Sequence, residues 1–186
     1  MDGLRVIEPA LDAVEPGLAE PDQRRKVSRL RYPSFDHRVT VGPMDSASDP
    51  FDLQRFVDAQ QRVYEDVLNE LRAGRKRSHW IWFIFPQVAG LGSSPTAVGY
   101  AISSLDEARA YLRHELLGPR LHECTRLVNE VQGRSIGEIF GSPDDLKVRS
   151  SMTLFAHATA DNHDFVQLLQ RYYDGEEDPL TVQRLT

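Results

Sequence analysis

The chain of 186 residues is long enough for one domain whose hydrophobic core needs neither disulfides nor structural metals. Its formal net charge of −6 argues against a protein held mainly by nucleic-acid phosphates or anionic lipid, since both partners need a clustered basic surface. A single cysteine, with no apolar run of membrane-spanning length and no signal-peptide pattern, predicts a soluble cytoplasmic protein.

Residues 1–48 have the composition of a disordered tail. Proline and glycine are frequent, aromatic residues are few and no helical or alternating period is sustained. Its basic residues offer one functional alternative, weak nucleic-acid binding through an N-terminal arm; they are Arg24, Arg25, Lys26, Arg29, Arg31 and Arg38. The position of Met44, shortly before a helix-start signal, also predicts that translation begins there, so that native peptides from residues 5–38 should not be recovered.

A period of 3.6 residues begins at Asp49, a candidate N-cap that is followed by Pro50 at the first helical position. The apolar stripe continues until Gly74 ends it; its members are Leu53, Phe56, Val57, Val63, Val67, Leu68 and Leu71. Gln60 stands where the stripe needs an apolar residue. The pattern therefore predicts a long helix with a break near Gln60.

Residues 80–85 form an apolar run whose period does not distinguish a strand from a helix. No other run alternates as a partner strand would. Because a lone strand leaves its backbone donors and acceptors without partners, we predict a helix that ends at Pro86. A loop of glycine and serine follows, and a further helix is expected at Thr96.

Capping signals predict the next helices. Ser104 and Glu107 form a capping box for a helix that ends before residues 118–119, where the proline opens another helix that continues to Gly133. The apolar positions of this second helix recur at helical spacing; they are Leu121, Cys124, Leu127, Val128 and Val131. Cys124 is therefore expected to be a buried, inert thiol.

Two more start signals follow. Ser135 and Glu138 form a capping box for a short helix, and residues 142–145 open a longer one with acidic side chains at the positive end of its dipole. The inward face of the longer helix is predicted to be Leu146, Val148, Met152 and Phe155.

A last helix opens near residues 161–164, ends at Gly175 and is followed by a final turn at Pro179. Its predicted buried side chains are Phe165, Leu168, Leu169 and Tyr172. The elements together predict an all-α, compact single-domain bundle of about six to seven helices over residues 49–186.

The first candidate site is the segment 75–87, where three cations precede both tryptophans of the chain. At helical spacing His79 and Gln87 share one face, and Trp80 lies on the adjacent face. This arrangement suits a planar ligand such as a nucleobase, stacked on a ring and oriented by hydrogen bonds. The competing interpretation is that the aromatic cluster is core, with its ring nitrogens bonded internally.

The second candidate site lies on the helix after Pro143. Lys147 lines up with Ser150 and Ser151 at three and four residues, which suits an anionic group of a ligand. A lysine beside a hydroxyl also suits nucleophilic catalysis. A surface lysine near two helix serines without any function is the commoner arrangement.

No cofactor and no metal are predicted. The glycines of residues 90–99 match neither the dinucleotide fingerprint nor the phosphate loop with its lysine. His114, His122 and Cys124 lie on consecutive predicted helices, but their spacing matches no standard zinc motif. Both histidines are expected to face solvent.

Several of these motifs resemble the bacterial and fungal family catalogued as domain of unknown function 1810, some members of which are mislabelled calpastatin. The resemblance covers roughly residues 50–182 and rests on residues 52–60, 76–80, 83–87, 90–92, 104–105, 117–121, 139–147 and 149–155. It implies a compact all-helical fold. It implies no activity, so no catalytic residue is carried over from it.

The leading functional hypothesis is a domain that binds a small anionic or nucleotide-like ligand between the two candidate sites, either as an enzyme or as a binding protein. The candidate ligand-binding residues are His79, Trp80, Gln87, Lys147, Ser150 and Ser151. His79 is the candidate general base near neutral pH. The alternative is a non-catalytic protein-interaction module with a partly exposed aromatic and basic segment. Neither a membrane nor nucleic acid is the expected partner, and the sequence does not fix the oligomeric state.

Overall fold

The computed structural model describes residues 49–186; the expected disordered tail, its basic arm and the expected start at Met44 lie outside the described residues. Ten helices occupy the described region, and seven of them have seven or more residues. They are α1 (Gln54–Gln61), α2 (Tyr64–Arg72), α3 (Ile81–Ile84), α4 (Pro95–Gly99), α5 (Leu105–Arg113), α6 (Leu117–Glu130), α7 (Ile136–Phe140), α8 (Asp144–Ala158), α9 (His163–Tyr173) and α10 (Pro179–Leu185). The all-α prediction is confirmed.

Strand pairing in residues 49–186 is limited to one isolated bridge between Val88 and Ile102. The Ile102 N–H donates to the Gln87 carbonyl at 2.8 Å, and the Ala89 N–H donates to the Ile102 carbonyl at 2.8 Å. The bridge ties the loop after α3 to the residues before α5. No helix in the described region is long and apolar enough to cross a membrane.

Helix α8 lies at the centre of the described region. Its apolar side chains Val148, Met152 and Phe155 are fully buried, and it packs against α3, α5, α7, α9 and α10. Polar side chains on α8 are buried as well, namely Ser150, Ser151 and Thr153. A helix that is buried around most of its circumference has neighbours on all sides.

The first helix begins later than its start signal predicts. Asp52 has a positive φ of 52°, so the chain turns there, and α1 starts at Gln54. The Asp49 carboxylate still accepts the Gln54 N–H at 3.0 Å, as a cap placed before the turn. The predicted break is confirmed, because α1 ends at Gln61 and α2 begins at Tyr64. Gln60 is 1 % exposed just before this break, and its side-chain amide donates to the Phe83 carbonyl at 2.7 Å.

Residues 80–85 form the short helix α3, as predicted, with Phe85 as its C-cap just before Pro86. The aromatic segment is largely core: Trp80, Ile81, Ile84 and Phe85 are 0 to 2 % exposed. The Trp80 and Phe85 rings pack against Phe140 with centroid distances of 6.1 and 5.8 Å.

The junction of α5 and α6 differs from the prediction. The Ser104 hydroxyl caps α5 as expected, but α6 begins at Leu117, so Gly118 and the following proline lie inside its first turn. A Cβ atom at Gly118 would lie 2.0 Å from the carbonyl oxygen of Leu112. Glycine at this position therefore permits the close approach of the two helices.

The remaining start signals are confirmed. Ser135 and Glu138 form the predicted capping box of α7, α8 begins at Asp144, and α9 ends in left-handed residues at Asp174 and Gly175. One predicted inward residue is wrong: Leu146 is 58 % exposed. It lies in the first turn of α8, on a face of the helix that no neighbouring element covers.

Candidate functional site

Two lysines and one aspartate join the aromatic segment to the start of α8. We call Lys76, Asp144 and Lys147 the dilysine cluster. Lys76 Nζ lies 2.7 Å from Asp144 Oδ2, and Lys147 Nζ lies 2.6 Å from Asp144 Oδ1. The Lys76 backbone is fixed as well, because its N–H donates to the Ile139 carbonyl at 2.7 Å. Each oxygen of one carboxylate thus accepts from a different ammonium group.

The charges of the dilysine cluster do not cancel. Burial acts to raise the pKa of Asp144, but its hydrogen bonds to Lys147 and Lys76 and their charges hold that pKa below its ordinary value. Asp144 is therefore ionised at neutral pH, and the cluster keeps a net positive charge. The Lys76 side chain is 7 % exposed, whereas Asp144 and Lys147 are 17 % and 21 % exposed. The latter two form the solvent-facing edge.

Each lysine of the cluster also lies over an indole ring. Lys76 Nζ is 5.2 Å from the centroid of Trp80, and Lys147 Nζ is 4.7 Å from that of Trp82, both within cation–π range. Trp80 is 1 % exposed, and its Nε1 donates to Glu70 at 2.8 Å. Trp82 is half-buried, and its indole N–H has no hydrogen-bond partner among residues 49–186. Trp82 is thus the tryptophan that a ligand can contact.

The loop before Trp80 is held by the carboxylate of Glu70. It accepts the Arg77 N–H at 2.7 Å, the Ser78 N–H at 3.2 Å and the Ser78 hydroxyl at 2.7 Å, besides the Trp80 indole. Burial acts to raise the pKa of Glu70, but these hydrogen bonds hold it below its ordinary value. His79 lies in this fixed loop; its side chain is exposed and has no hydrogen-bond or ion-pair partner within the described region.

The two predicted serines of α8 have different surroundings. Ser150 Oγ lies 2.6 Å from Thr181 Oγ1, which donates to Asp178 Oδ2 at 2.6 Å, so Ser150 docks α10 onto α8. Ser151 is fully buried, and its hydroxyl has no hydrogen-bond partner. Ser151 lies one turn after Lys147 on the same face, and helix side chains lean toward the N-terminus. Ser151 therefore shares a helix face with Lys147.

Gln87 lies at the end of the aromatic segment, where its side chain is half-buried. Its backbone carbonyl belongs to the bridge with Ile102, while its side-chain amide makes no hydrogen bond within residues 49–186. The loop that follows is fixed from the far end of the chain, since an Arg184 guanidinium nitrogen donates to the Gly90 carbonyl at 2.9 Å.

The two predicted segments meet through Lys147 and Trp82. Within the described residues, no hydrogen bond, ion pair or ring contact joins His79 or Gln87 to Lys147. Sequence reasoning did not single out Lys76, Asp144 or Trp82 as site residues. One signal was available, because lysine is rare: the chain has three lysines against 19 arginines, and two of those three bind Asp144.

The expectation that both histidines of the α5 to α6 region face solvent is wrong. His122 Nδ1 lies 2.8 Å from Asp164 Oδ2, and Arg126 Nε lies 3.3 Å from the same oxygen. His114 Nδ1 accepts the Leu116 N–H at 3.2 Å, at the start of α6. The sequence did not reveal the partner of His122, because α9 brings Asp164 to α6 from a distant part of the chain.

The predicted buried thiol is confirmed. Cys124 is fully buried, and burial raises the pKa of its thiol to about 12, which leaves it protonated and unreactive at neutral pH. No group of three or more His, Cys, Asp or Glu side chains in the described region is arranged to hold a metal ion.

A shallow depression of about 350 Å³ lies along α9 and the loop after it. Its lining consists of Val166, Leu169, Gln170, Gly175 and Glu177. None of the predicted site residues and no member of the dilysine cluster contributes to it. The depression therefore adds nothing to the candidate site.

Comparisons with known proteins agree with the helical fold. The family model described as protein of unknown function, DUF1810, matches residues 50–185. The chain is also similar to the conserved hypothetical protein Rv1873 from Mycobacterium tuberculosis, known from a crystal structure: identity is 72 %, the TM-score is 0.73, and the match covers 74 % of this chain and 98 % of that one. No curated protein matches, and no activity is stated for the family or for this similar protein. The chain belongs to the DUF1810 family, whose function is not known.

Proposed function

We propose that the domain binds a small anionic ligand at the dilysine cluster. The observation that carries this proposal is the sharing of one carboxylate by two ammonium groups, of which Lys76 is buried and Lys147 lies at the solvent-facing edge. A carboxylate that only neutralised one buried lysine would leave no surplus charge. Here a positive charge remains, and an incoming phosphate or carboxylate group would compensate it.

The choice of side chains supports a role in ligand binding. Ion pairs elsewhere in the described region use arginine or histidine, as in the pairs of Arg55 with Glu107 at 2.6 Å and of His122 with Asp164 at 2.8 Å. The Lys76 side chain is only 7 % exposed, and its burial is costly unless a partner compensates the charge; Asp144 does so but shares its carboxylate with Lys147. Two lysines converging on one point favour a ligand over a purely structural role.

The proposal gives each candidate residue a role. Lys147 contacts the anionic group, and Trp82 takes the stacking role first expected of Trp80, which is buried. Ser151 supplies a hydroxyl without a partner. His79 orients the ligand from the edge, where it would also act as general base if the domain is an enzyme.

Two predicted residues have supporting or peripheral roles in this proposal. Ser150 is bonded to α10 and supports the position of α8. Gln87 lies at the end of the aromatic segment, where its free amide is placed to contact a planar, nucleotide-like part of the ligand. The proposal also places the protein in the cytoplasm, because its single cysteine is a buried free thiol.

A thermal-shift screen with nucleotides and phosphorylated metabolites tests the proposal. A ligand present at about one hundred times its Kd adds about 2.7 kcal/mol to the free energy of unfolding. We expect a shift in wild-type protein and a much smaller one in Lys147→Gln. The control Arg113→Gln removes an exposed cation outside the cluster and should keep the wild-type shift. Equal shifts in all three proteins would contradict binding at the cluster.

One observation supports the alternative function, a protein-interaction module. Leu146 is 58 % exposed and lies beside Lys147 in the first turn of α8, where an apolar side chain next to cations suits a docking surface. Absence of any shift across the screen would favour this alternative over the ligand.

A further inference from the structure

We propose that the Asp144 carboxylate is the built-in occupant of the anion site, which a ligand must displace, so that only an anion held more strongly than a carboxylate, such as a phosphate-like dianion, binds there. The inference rests on the proposed function, because it concerns the same cluster. It adds the chemical class of the ligand and assigns Asp144 the role of a competitor that sets the affinity a ligand must exceed.

The position between the two ammonium groups is already filled. Both oxygens of Asp144 are in use, one with Lys76 at 2.7 Å and one with Lys147 at 2.6 Å. Among the described contacts, Asp144 is also the one carboxylate partner of each lysine. A ligand anion that binds both lysines at hydrogen-bond distance must therefore take the place of this carboxylate.

Asp144 is placed so that it can leave. It is the first residue of α8, its side chain is 17 % exposed, and the helix start has no side-chain cap that its movement would break. Rotation of the side chain would bring the carboxylate into water while the helix stays intact.

Competition with a tethered carboxylate sets the class of ligand. A group held in place by the chain acts at an effective concentration of about millimolar or above. A free monocarboxylate has the same charge and the same two oxygens as the Asp144 side chain, so it gains nothing that would offset this advantage. A phosphate monoester carries a charge of about −1.5 to −2 at pH 7 and offers three acceptor oxygens. It interacts more strongly with both lysines and can displace Asp144.

The test compares inorganic phosphate with acetate as probes of the full chain at constant ionic strength. Both tryptophans lie at the cluster, so intrinsic fluorescence reports binding, and calorimetry checks it. Wild-type protein should bind phosphate more tightly than acetate, because the dianion interacts more strongly with both lysines. The tethered Asp144 carboxylate weakens the binding of both anions by the same factor, so acetate binding should be too weak to measure. Acetate that binds wild type as tightly as phosphate would overturn the inference.

Two variants of Asp144 sharpen the test. Asp144→Asn removes the competing charge and should bind phosphate about tenfold more tightly. Asp144→Ala leaves the position empty, so acetate should now bind and raise the unfolding temperature, which it does not do in wild type. The control Asp145→Asn removes a neighbouring charge that contacts neither lysine, and its phosphate affinity should change much less.

The outcomes separate this inference from the proposed function. Weaker phosphate binding by Asp144→Asn would mean that Asp144 positions the lysines, which overturns the inference and leaves the anion site standing. No phosphate binding by wild type or by Asp144→Asn would overturn both. If neither Asp144 variant folds, the ratio of phosphate to acetate affinity in wild type decides alone.

Discussion

The Glu70 carboxylate organises the loop that carries His79 and Trp80. Its four hydrogen bonds come from two backbone N–H groups, one hydroxyl and one indole, and each ties the loop to the end of α2. The same loop begins with Lys76, so Glu70 also fixes one side of the dilysine cluster.

Replacement of Glu70 by Gln should destabilise the protein in a way that depends on pH. Because the pKa of Glu70 is lowered on folding, its contribution is present above its ordinary value of 4.5 and is lost as the pH falls through the lowered value. We expect Glu70→Gln to lose about 1–2 kcal/mol of unfolding free energy at neutral pH, and less at a pH of about 3. Urea unfolding at both pH values measures this difference.

A matched control distinguishes this effect from a general change of charge. Glu130 is exposed at the end of α6, and its carboxylate has no partner in the described region. The Glu130→Gln variant should match wild type at both pH values. A loss in Glu70→Gln that stays the same between pH values would contradict the assignment of the lowered pKa to these hydrogen bonds.

At the level of single residues, the sequence predicted the site members that a local pattern connects and missed those that only long-range contacts bring together. Lys147 and the serines were found because helical spacing is local. Lys76 and Asp144 are distant in the sequence, and no local pattern indicates that one carboxylate binds two lysines. The burial of Trp80 was likewise an open alternative, because its partner Glu70 lies on a different element.

At the level of elements, the sequence likewise predicted the helix starts that depend on local signals and missed the one that depends on packing. Capping residues predicted the starts of α5 and α7, because a cap acts within one turn. The acidic pair in the first turn predicted the start of α8, which has no side-chain cap. The start of α6 was missed because its close approach to α5 is a packing contact. The role of Gly118 becomes visible only when the Leu112 carbonyl lies above it.

Substitution of Gly118 by Ala tests this junction. A Cβ atom would lie 2.0 Å from the Leu112 carbonyl oxygen, and since the obstacle is backbone, α5 and α6 would have to separate. We expect a loss of about 2–4 kcal/mol of unfolding free energy, measured by chemical denaturation.

The control for this variant is Gly137→Ala in α7. A Cβ atom at Gly137 meets no atom within 4 Å, so alanine should be neutral or should stabilise the protein by up to about 1 kcal/mol. Equal effects of the two substitutions would contradict the close-packing explanation, because glycine-to-alanine changes at helical positions would then act only through backbone flexibility.

At the scale of the whole molecule, the central position of α8 determines where the candidate site lies. Helix α8 packs against α3 and α7, so its first turn meets both the aromatic segment and the loop that carries Lys76. The sequence predicted the two segments separately, and their meeting was a hypothesis. Long-range packing brings the two segments into contact, because Lys147 Nζ lies over the ring of Trp82.

The most direct test of the dilysine cluster records the NMR signals of its two lysine side chains during an anion titration. The chain has three lysines, so a protein labelled with ¹³C-lysine gives three Hε–Cε signals, which Lys76→Gln and Lys147→Gln assign. On titration with inorganic phosphate, with chloride at equal ionic strength as control, the signals of Lys76 and Lys147 should move together with one Kd, and that of Lys26 should stay. No movement of either cluster signal, or an equal movement of Lys26, would contradict an anion site at this position.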